Sequence, residues 1–218
     1  MKMLKAAIFD MDGVLVDSYR AWFVTFNKGR EHFGFTPISE KEFRKQCWAV
    51  SSSVLVPAYF PGFSIPEVTA KNMELFLESM EEIAVMPGVK ALLSLLPLKK
   101  AVATNTIRAQ AERMLAAKGL LGHFDMVVGA DDVKRDKPAP DMLLKIVNGF
   151  GIRRDEAMFV GDMGLDMDAG KAAGVYTIGM GIDGGDVRIE KIEDVKDIIT
   201  NKAGGSKQHA SQADNTLP

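Results

Sequence analysis

The chain has 218 residues, of which 47% are hydrophobic and 26% charged. This composition is typical of a globular protein with a substantial core, built as one large domain or as a core with a smaller companion. A formal net charge of -2 gives no attraction to nucleic acid or to a membrane surface, and no apolar run is long enough to span a bilayer. The single cysteine, Cys47, cannot form an internal disulfide, and the first residues lack the apolar region of a signal peptide. We therefore expect a cytoplasmic protein.

The first predicted elements are a buried strand over residues 5–11 and a helical stretch that begins after Ser18. Apolar residues then recur at helical spacing in two groups: Phe23, Phe26 and Phe33, and later Met73, Phe76, Met80 and Ile83. Residues 19–85 contain no alternating pattern typical of a strand, so this part of the chain is predicted to be all-helical.

From Met86 onward, short apolar runs alternate with amphipathic stretches. Strands are predicted over residues 101–103, 126–128, 158–160 and 175–178, and the last of these is expected to finish the sheet. Helices are predicted over residues 89–96, 107–118, 142–150, 166–173 and 193–200. Alternation of this kind predicts an α/β fold with a parallel sheet and helices on both faces.

The predicted domain organisation follows from this order. Residues 1–16 and 87–203 form the α/β core, and residues 17–86 form a helical cap inserted into it. Residues 204–218 are polar and lack periodicity, which predicts a disordered tail.

Asp10 and Asp12 leave the first strand side by side, because residues i and i+2 of an extended chain share a face. Ligands of open α/β sheets bind at such carboxyl ends of strands. The two carboxylates repel each other unless a cation or a proton lies between them. An ionised aspartate needs no base to act as a nucleophile on a phosphoryl group, and its neighbour is placed to protonate the leaving oxygen. An acidic strand-to-turn junction, with Gly13 as the turn residue, is the competing interpretation.

Two further segments carry groups that suit a phosphate. Thr104 and Asn105 follow the second core strand, where a hydroxyl and backbone N–H groups can hold phosphate oxygens, although Thr-Asn is also ordinary turn composition. Lys137 precedes Pro138 in a loop before a helix and offers a positive charge, although most lysines in loops are simply solvated.

Asp162 follows the fourth core strand, and Asp166 comes one helical turn later. Their carboxylates can converge on one point, and hard oxygen ligands suit Mg²⁺. Acidic residues in the first turn of a helix also serve as caps, which is the structural alternative here. We expect Asp10, Asp12 and Asp162 to hold the metal, with Asp166 as a further ligand or as a partner of one.

Together, Asp10-Met11-Asp12-Gly13, Thr104-Asn105, Lys137-Pro138 and Gly161-Asp162 with Asp166 resemble the four motifs of the haloacid dehalogenase superfamily of phosphohydrolases. The likeness extends over residues 5–199. It implies a Rossmann-like core and Mg²⁺-dependent phosphate transfer through an aspartyl-phosphate on Asp10. The helical insert resembles the cap of the phosphoglycolate phosphatase and β-phosphoglucomutase branch. Asp12 argues against the dehalogenases of the superfamily, which lack an acid at that position.

The resulting expectation is a phosphatase that acts on a small phosphorylated metabolite, with phosphoglycolate as the first candidate and sugar phosphates next. A phosphomutase is the nearest alternative, because Asp10 and Asp12 could return the phosphate to a sugar. A phospho-acceptor signalling switch also uses a strand-end aspartate, Mg²⁺, a threonine and a lysine. Such switches need neither a helical insert nor an acid two residues after the acceptor. The pattern does not indicate whether the protein is a monomer or a homodimer.

Overall fold

The computed structural model of the protein describes residues 3–204. The tail predicted over residues 204–218 lies outside the described residues, except for Gly204, which ends the last helix. None of the helices in the described part of the chain is long and apolar enough to cross a membrane.

A parallel sheet forms the centre of the molecule, as the sequence predicted. The described residues give it six strands, in the spatial order β5-β4-β1-β6-β7-β8. Their bounds are β1 Ala6–Phe9, β4 Lys99–Ala103, β5 Met126–Val128, β6 Ala157–Gly161, β7 Tyr176–Met180 and β8 Val187–Ile189. All neighbouring pairs run parallel, and β1 lies between β4 and β6. All four residues of β1 are buried, as expected for a strand covered on both faces.

Helices cover both faces of this sheet. Their bounds are α5 Val89–Leu95, α6 Arg108–Ala117, α7 Asp141–Phe150, α8 Gly164–Ala173 and α9 Val195–Gly204. Ala7 and Phe9 of β1 belong to one hydrophobic cluster with residues of α5, α6 and α9. Ala6 and Ile8 belong to another with residues of α7 and α8. Because side chains alternate along a strand, the same four residues contribute to both layers.

The helical insert, residues 17–86, contains α1 Tyr19–His32, α2 Glu40–Gln46, α3 Ser52–Tyr59 and α4 Ile65–Glu78. It has a hydrophobic cluster of its own, which includes Phe26, Phe43 and Phe60. Phe76 of α4 belongs instead to the cluster under the sheet, and Trp22 of α1 stacks on it with ring centroids 4.1 Å apart. The insert therefore packs against the core through α1 and α4.

Two strands differ from the sequence prediction. The strand predicted over residues 175–178 does not finish the sheet, because β8 adds a further parallel strand beyond β7. Residues 19–85, predicted to lack strands, contain a two-residue strand, β3 Ala84–Val85. It pairs antiparallel with β2 Val16–Asp17 where the insert joins the core. Both misses have one cause: two or three residues are too few for an alternating pattern to be recognised.

Candidate active site

Three neighbouring strands end at the candidate site. Asp10 follows β1, Thr104 follows β4 and Asp162 follows β6. The backbone N–H of Asp10 donates to the carbonyl oxygen of Val160 at 2.8 Å, so the chain stays tied to β6 one residue past the end of β1. From β1 the sheet order continues in opposite directions through β4 and β6. Open α/β sheets place their ligand crevices at such a reversal.

Lys137 forms buried ion pairs with two carboxylates. Its Nζ lies 2.7 Å from Asp10 Oδ1 and 2.8 Å from Asp166 Oδ1, and none of the three side chains is more than 6% exposed. The backbone N–H of Met163, at the start of α8, donates to Asp166 Oδ2 at 3.0 Å and fixes that side chain. A buried ion pair that loses one partner costs about 3–5 kcal/mol, so these groups depend on one another.

Asp162 lies beside this ion-pair group. A Cβ built on Gly13 would lie 2.1 Å from Asp162 Oδ2, so only glycine leaves room for the carboxylate. Carboxylate oxygens of Asp10, Asp162 and Asp166 lie within 4.8 Å of one another, a spacing suited to a shared metal ion. Asp162 Oδ1 is buried and has no hydrogen-bond partner among the described residues, as expected of an atom that a ligand completes. The donor set and this unpartnered oxygen fit Mg²⁺.

The site carries too little positive charge for its carboxylates. Burial raises the pKa of Asp10 well above its usual value; Lys137 opposes the rise, and Asp166 and Asp162 add to it. Burial and the charge of Asp166 raise the pKa of Asp162 to about 7. Burial by itself would lower the pKa of Lys137, but attraction to Asp10 and Asp166 outweighs it and the pKa is raised. One ammonium cannot balance these carboxylates, whereas a divalent cation would favour their ionised forms.

The carboxylate of Asp12 has different neighbours. It accepts hydrogen bonds from Ser18 Oγ, from Trp22 Nε1 at 3.0 Å and, on its second oxygen, from Thr106 Oγ1 at 3.3 Å. The group of oxygens spaced for a metal does not include it, although the sequence predicted Asp12 as a ligand. Burial raises the pKa of Asp12, and the bonds from Ser18 and Trp22 oppose the rise. The arrangement holds an oriented carboxyl group whose pKa is raised by burial.

Thr104 and Asn105 occupy the predicted strand end but differ in their contacts. Thr104 is buried, and its Oγ1 accepts from the backbone N–H of Thr106 at 3.2 Å. The amide group of Asn105 donates to the carbonyl oxygens of Lys137 at 3.1 Å and Ala49 at 3.2 Å, and its Oδ1 accepts from Lys137 N at 3.0 Å. Both the amide nitrogen and the amide oxygen of Asn105 therefore bond to protein backbone, although this side chain was predicted to hold phosphate.

A cavity lies between this edge of the sheet and the helical insert. From the core it is lined by Asp10, Asp12, Thr104, Asn105 and Lys137. Residues of the insert line the opposite side. A small molecule bound there would contact the candidate chemical groups and the insert at once.

Sequence reasoning missed the partners of Asp12 and the contact with Ala49. Ser18 and Trp22 are spaced by four residues at the start of α1, which places them on one helix face. Thr106 lies in the bend just beyond β4. These positions were visible in the sequence, but only the fold shows that both segments meet Asp12. Nothing in the sequence indicated that the Ala49 carbonyl approaches Asn105.

Comparison with known proteins gives consistent results. The model of the haloacid dehalogenase-like hydrolase family matches residues 7–180. A phosphoglycolate phosphatase from Chromobacterium violaceum is 28% identical over 219 residues, which cover 92% of this chain and 99% of that relative. A fructose-1-phosphate phosphatase from Escherichia coli is 28% identical over 177 residues, covering 78% and 93% of the two chains.

A solved structure resembles the chain over a similar extent. It is a subfamily IA hydrolase of the haloacid dehalogenase superfamily from Geobacter sulfurreducens, 27% identical, with a TM-score of 0.70. The match covers 90% of this chain and 96% of that one. The likeness therefore includes the helical insert as well as the sheet.

Proposed function

Because the chain belongs to the haloacid dehalogenase-like hydrolase family, we propose that it is a Mg²⁺-dependent phosphatase of small phosphomonoesters. The observation that carries this proposal is Asp10 itself. It lies at the end of the central strand, in contact with Lys137 and beside Asp162 and Asp166. The similar phosphatases named above act on phosphoglycolate and on fructose 1-phosphate, both of them small phosphorylated metabolites. The single cysteine supports a cytoplasmic location for the same activity.

Asp10 is the proposed nucleophile. Its Oδ1 accepts from the backbone N–H of Met11 at 2.8 Å and lies 2.7 Å from Lys137 Nζ, which leaves Oδ2 for attack on phosphorus. The new P–O bond gives an aspartyl-phosphate, and the ester P–O bond breaks with release of an alkoxide. Water then attacks the same phosphorus, and the bond to Oδ2 breaks. Lys137 stabilises charge on Asp10 and on the transferred group.

Asp12 is the proposed general acid and base. Burial raises its pKa, which suits a group that gives its proton to the departing alkoxide. The resulting carboxylate then removes a proton from the attacking water. The bonds from Ser18, Trp22 and Thr106 hold its orientation through both steps.

Asp10, Asp162 and Asp166 would hold Mg²⁺, directly or through a neighbouring ligand. Bound there, the ion would reduce repulsion between the carboxylates and the phosphate oxygens. Asp12, which the sequence also suggested as a ligand, is assigned the proton transfers instead, since it lies outside the group of carboxylate oxygens spaced for a metal. A thermal shift experiment tests this assignment without measuring activity. Mg²⁺ at 100 times its Kd should stabilise the protein by about 2.7 kcal/mol, and Asp162→Asn should abolish most of that shift.

Steady-state turnover of p-nitrophenyl phosphate tests the activity. The wild-type protein with Mg²⁺ should release phosphate continuously, and Asp10→Asn should reduce kcat by about 1,000-fold or more, because a neutral amide is a poor nucleophile. Incorporation of one phosphate per chain without further turnover would contradict a phosphatase and indicate a signalling switch. Transfer of the phosphate to glucose phosphates, instead of to water, would identify a mutase.

A further inference from the structure

The side of the cavity formed by the helical insert carries no charged group among the described residues that line it. Its surface is mainly aromatic and aliphatic, with Trp22, Phe26, Phe43, Trp48 and Leu55. Two basic side chains of α1 and α2 contact rings outside the cavity. Arg30 lies over Tyr59, with its guanidinium carbon 5.6 Å from the ring centroid, and Arg44 lies 4.0 Å over Tyr19. Neither arginine lines the cavity.

The only basic residue that lines the cavity within the described chain, Lys137, is already committed to the reaction site. Its ammonium contacts Asp10 at 2.7 Å and Asp166 at 2.8 Å. It would also face the phosphate of a bound substrate. A second anionic group of the substrate would therefore meet no cation on the insert side.

The insert side instead offers uncharged polar groups that lack partners. Thr25, Thr69 and Asn72 line the cavity, and each has a buried oxygen without a hydrogen-bond partner among the described residues: Oγ1, Oγ1 and Oδ1, respectively. Three such atoms around one cavity are notable because buried polar atoms are almost always paired. The amide oxygen of Asn72 lies against Gly29, where an added Cβ would be 2.1 Å from it. The hydroxyls of Thr25 and Thr69, which can donate or accept, are therefore the groups left for a ligand.

Resting on the proposed function, we infer that the non-phosphate part of the substrate is uncharged and carries several hydroxyl groups, as in a sugar or alditol phosphate. Hydroxyl groups supply both donors and acceptors for Thr25 and Thr69. Their C–H faces suit the aromatic lining. A carboxylate supplies acceptors alone and would be buried without a cation on the insert side. The insert therefore selects against phosphoglycolate.

Matched substrates that differ at one carbon test this inference. Sorbitol 6-phosphate has a CH₂OH group where 6-phosphogluconate has a carboxylate, and 2-hydroxyethyl phosphate differs from phosphoglycolate in the same way. With wild-type protein and Mg²⁺, the uncharged member of each pair should have a kcat/KM higher by at least about tenfold. Equal or faster turnover of the carboxylates would overturn the inference while leaving the phosphatase activity intact.

Thr69→Val tests the role of the unpartnered oxygens, since valine keeps the shape of threonine and removes the hydroxyl. The preference for sorbitol 6-phosphate over 2-hydroxyethyl phosphate should fall by about fivefold or more, because the longer chain loses a hydrogen bond. Thr36→Val is the matched control, since Thr36 is exposed in the same insert and does not line the cavity. An unchanged preference in Thr69→Val would remove Thr69 from the subsite.

Binding provides a readout that is independent of turnover. The chain has two tryptophans, Trp22 and Trp48, and both line the cavity, so their fluorescence reports on its occupant. Sorbitol 6-phosphate should change the fluorescence at lower concentration than 6-phosphogluconate in Asp10→Asn, which cannot turn them over. Absence of turnover with every phosphate ester would refute the proposed function, whereas tighter binding of the carboxylate would refute the substrate class.

Discussion

Gly13 and Asp162 show how a single backbone position determines the site. Gly13 has a φ of +82°, and its missing Cβ makes room for the Asp162 carboxylate. A side chain at this position therefore has two separate effects: backbone strain and displacement of Asp162. A matched pair of substitutions separates them.

Gly13→Ala should abolish stabilisation by Mg²⁺ and lower kcat by at least about a hundredfold, because its Cβ would displace Asp162 Oδ2. Gly34→Ala is the control, since Gly34 has a φ of +83° but no atom within 4 Å of the added Cβ. Each substitution should cost about 1–2 kcal/mol of backbone strain. Thermal melts with and without Mg²⁺, together with phosphate release, measure both effects. A Mg²⁺ response retained in Gly13→Ala would argue against Asp162 as a ligand.

Lys137→Met should lower kcat by at least about a hundredfold, because the stabilising charge on Asp10 is lost. It should also destabilise the metal-free protein by about 3–5 kcal/mol, since Asp10 and Asp166 lose a buried partner. Lys134→Met, an exposed position in the same loop, is the control and should change neither property. Urea unfolding and steady-state kinetics provide the two measurements. Unchanged stability would show that the carboxylates become protonated when the ammonium is removed.

These residue contacts mark what the sequence could predict and what it could not. The placement of Asp10, Thr104 and Asp162 follows from one regularity, since the ends of adjacent parallel strands meet at one edge. The contacts of Asn105 do not follow from that regularity, because they depend on the path of the loop that carries Ala49. The separation of Asp12 from the acidic cluster depends in the same way on α1, whose angle to the sheet no local pattern specifies.

At the scale of elements, Asn105 joins three segments. It follows β4, holds the backbone of the Lys137 loop at both N and O, and reaches the carbonyl oxygen of Ala49 between α2 and α3. Ala49 has a φ of +61°, which is unfavourable for a residue with a side chain. The loop between α2 and α3 is therefore held in a strained conformation against the core by this contact.

Asn105→Ala should release that loop and loosen Lys137. We expect kcat to fall by about tenfold or more, and amide hydrogen exchange over residues 47–51 to become faster. Asn148→Ala, at an exposed position on α7, is the control. If Asn105 held phosphate and did not join segments, the inhibition constant of inorganic phosphate would rise while exchange in the loop stayed unchanged. Measuring both distinguishes the two roles.

At the scale of the whole molecule, we propose that residues 17–86 form a cap domain on a core of residues 1–16 and 87–203. The separate cluster around Phe26, Phe43 and Phe60 supports this division. Phe76 of the insert belongs to the hydrophobic cluster of the core and links the two parts. The alternation of strands and helices along the chain predicted the α/β core. The edge strand β8 was not predicted, because three residues are too few to show an alternating pattern.

Phe60→Ala should destabilise the insert more than the core. Removal of a buried phenylalanine costs about 3–5 kcal/mol, and Phe60 packs only within the cluster of the insert. In urea, tryptophan fluorescence, which reports on the insert, should then change before hydrogen exchange protection is lost in β1 and β6. Phe159→Ala, in the cluster that the sheet forms with α7 and α8, is the matched core variant and should lower both transitions together. Coincident transitions in Phe60→Ala would contradict a separate cap domain.

The short ribbon of β2 and β3 makes the fold suitable for grafting. The strands are antiparallel neighbours, and Met86 N donates to the Leu15 carbonyl oxygen at 3.0 Å. The chain thus leaves and rejoins the core about 5 Å apart, the distance between paired strands. The insert thus connects two paired antiparallel strands, as a hairpin turn does. A different helical module could be spliced between Asp17 and Ala84 if it keeps Ser18 and Trp22, which hold Asp12, and Phe76, which packs in the core cluster. Exchange of such modules would give one reaction centre a succession of new selectivities.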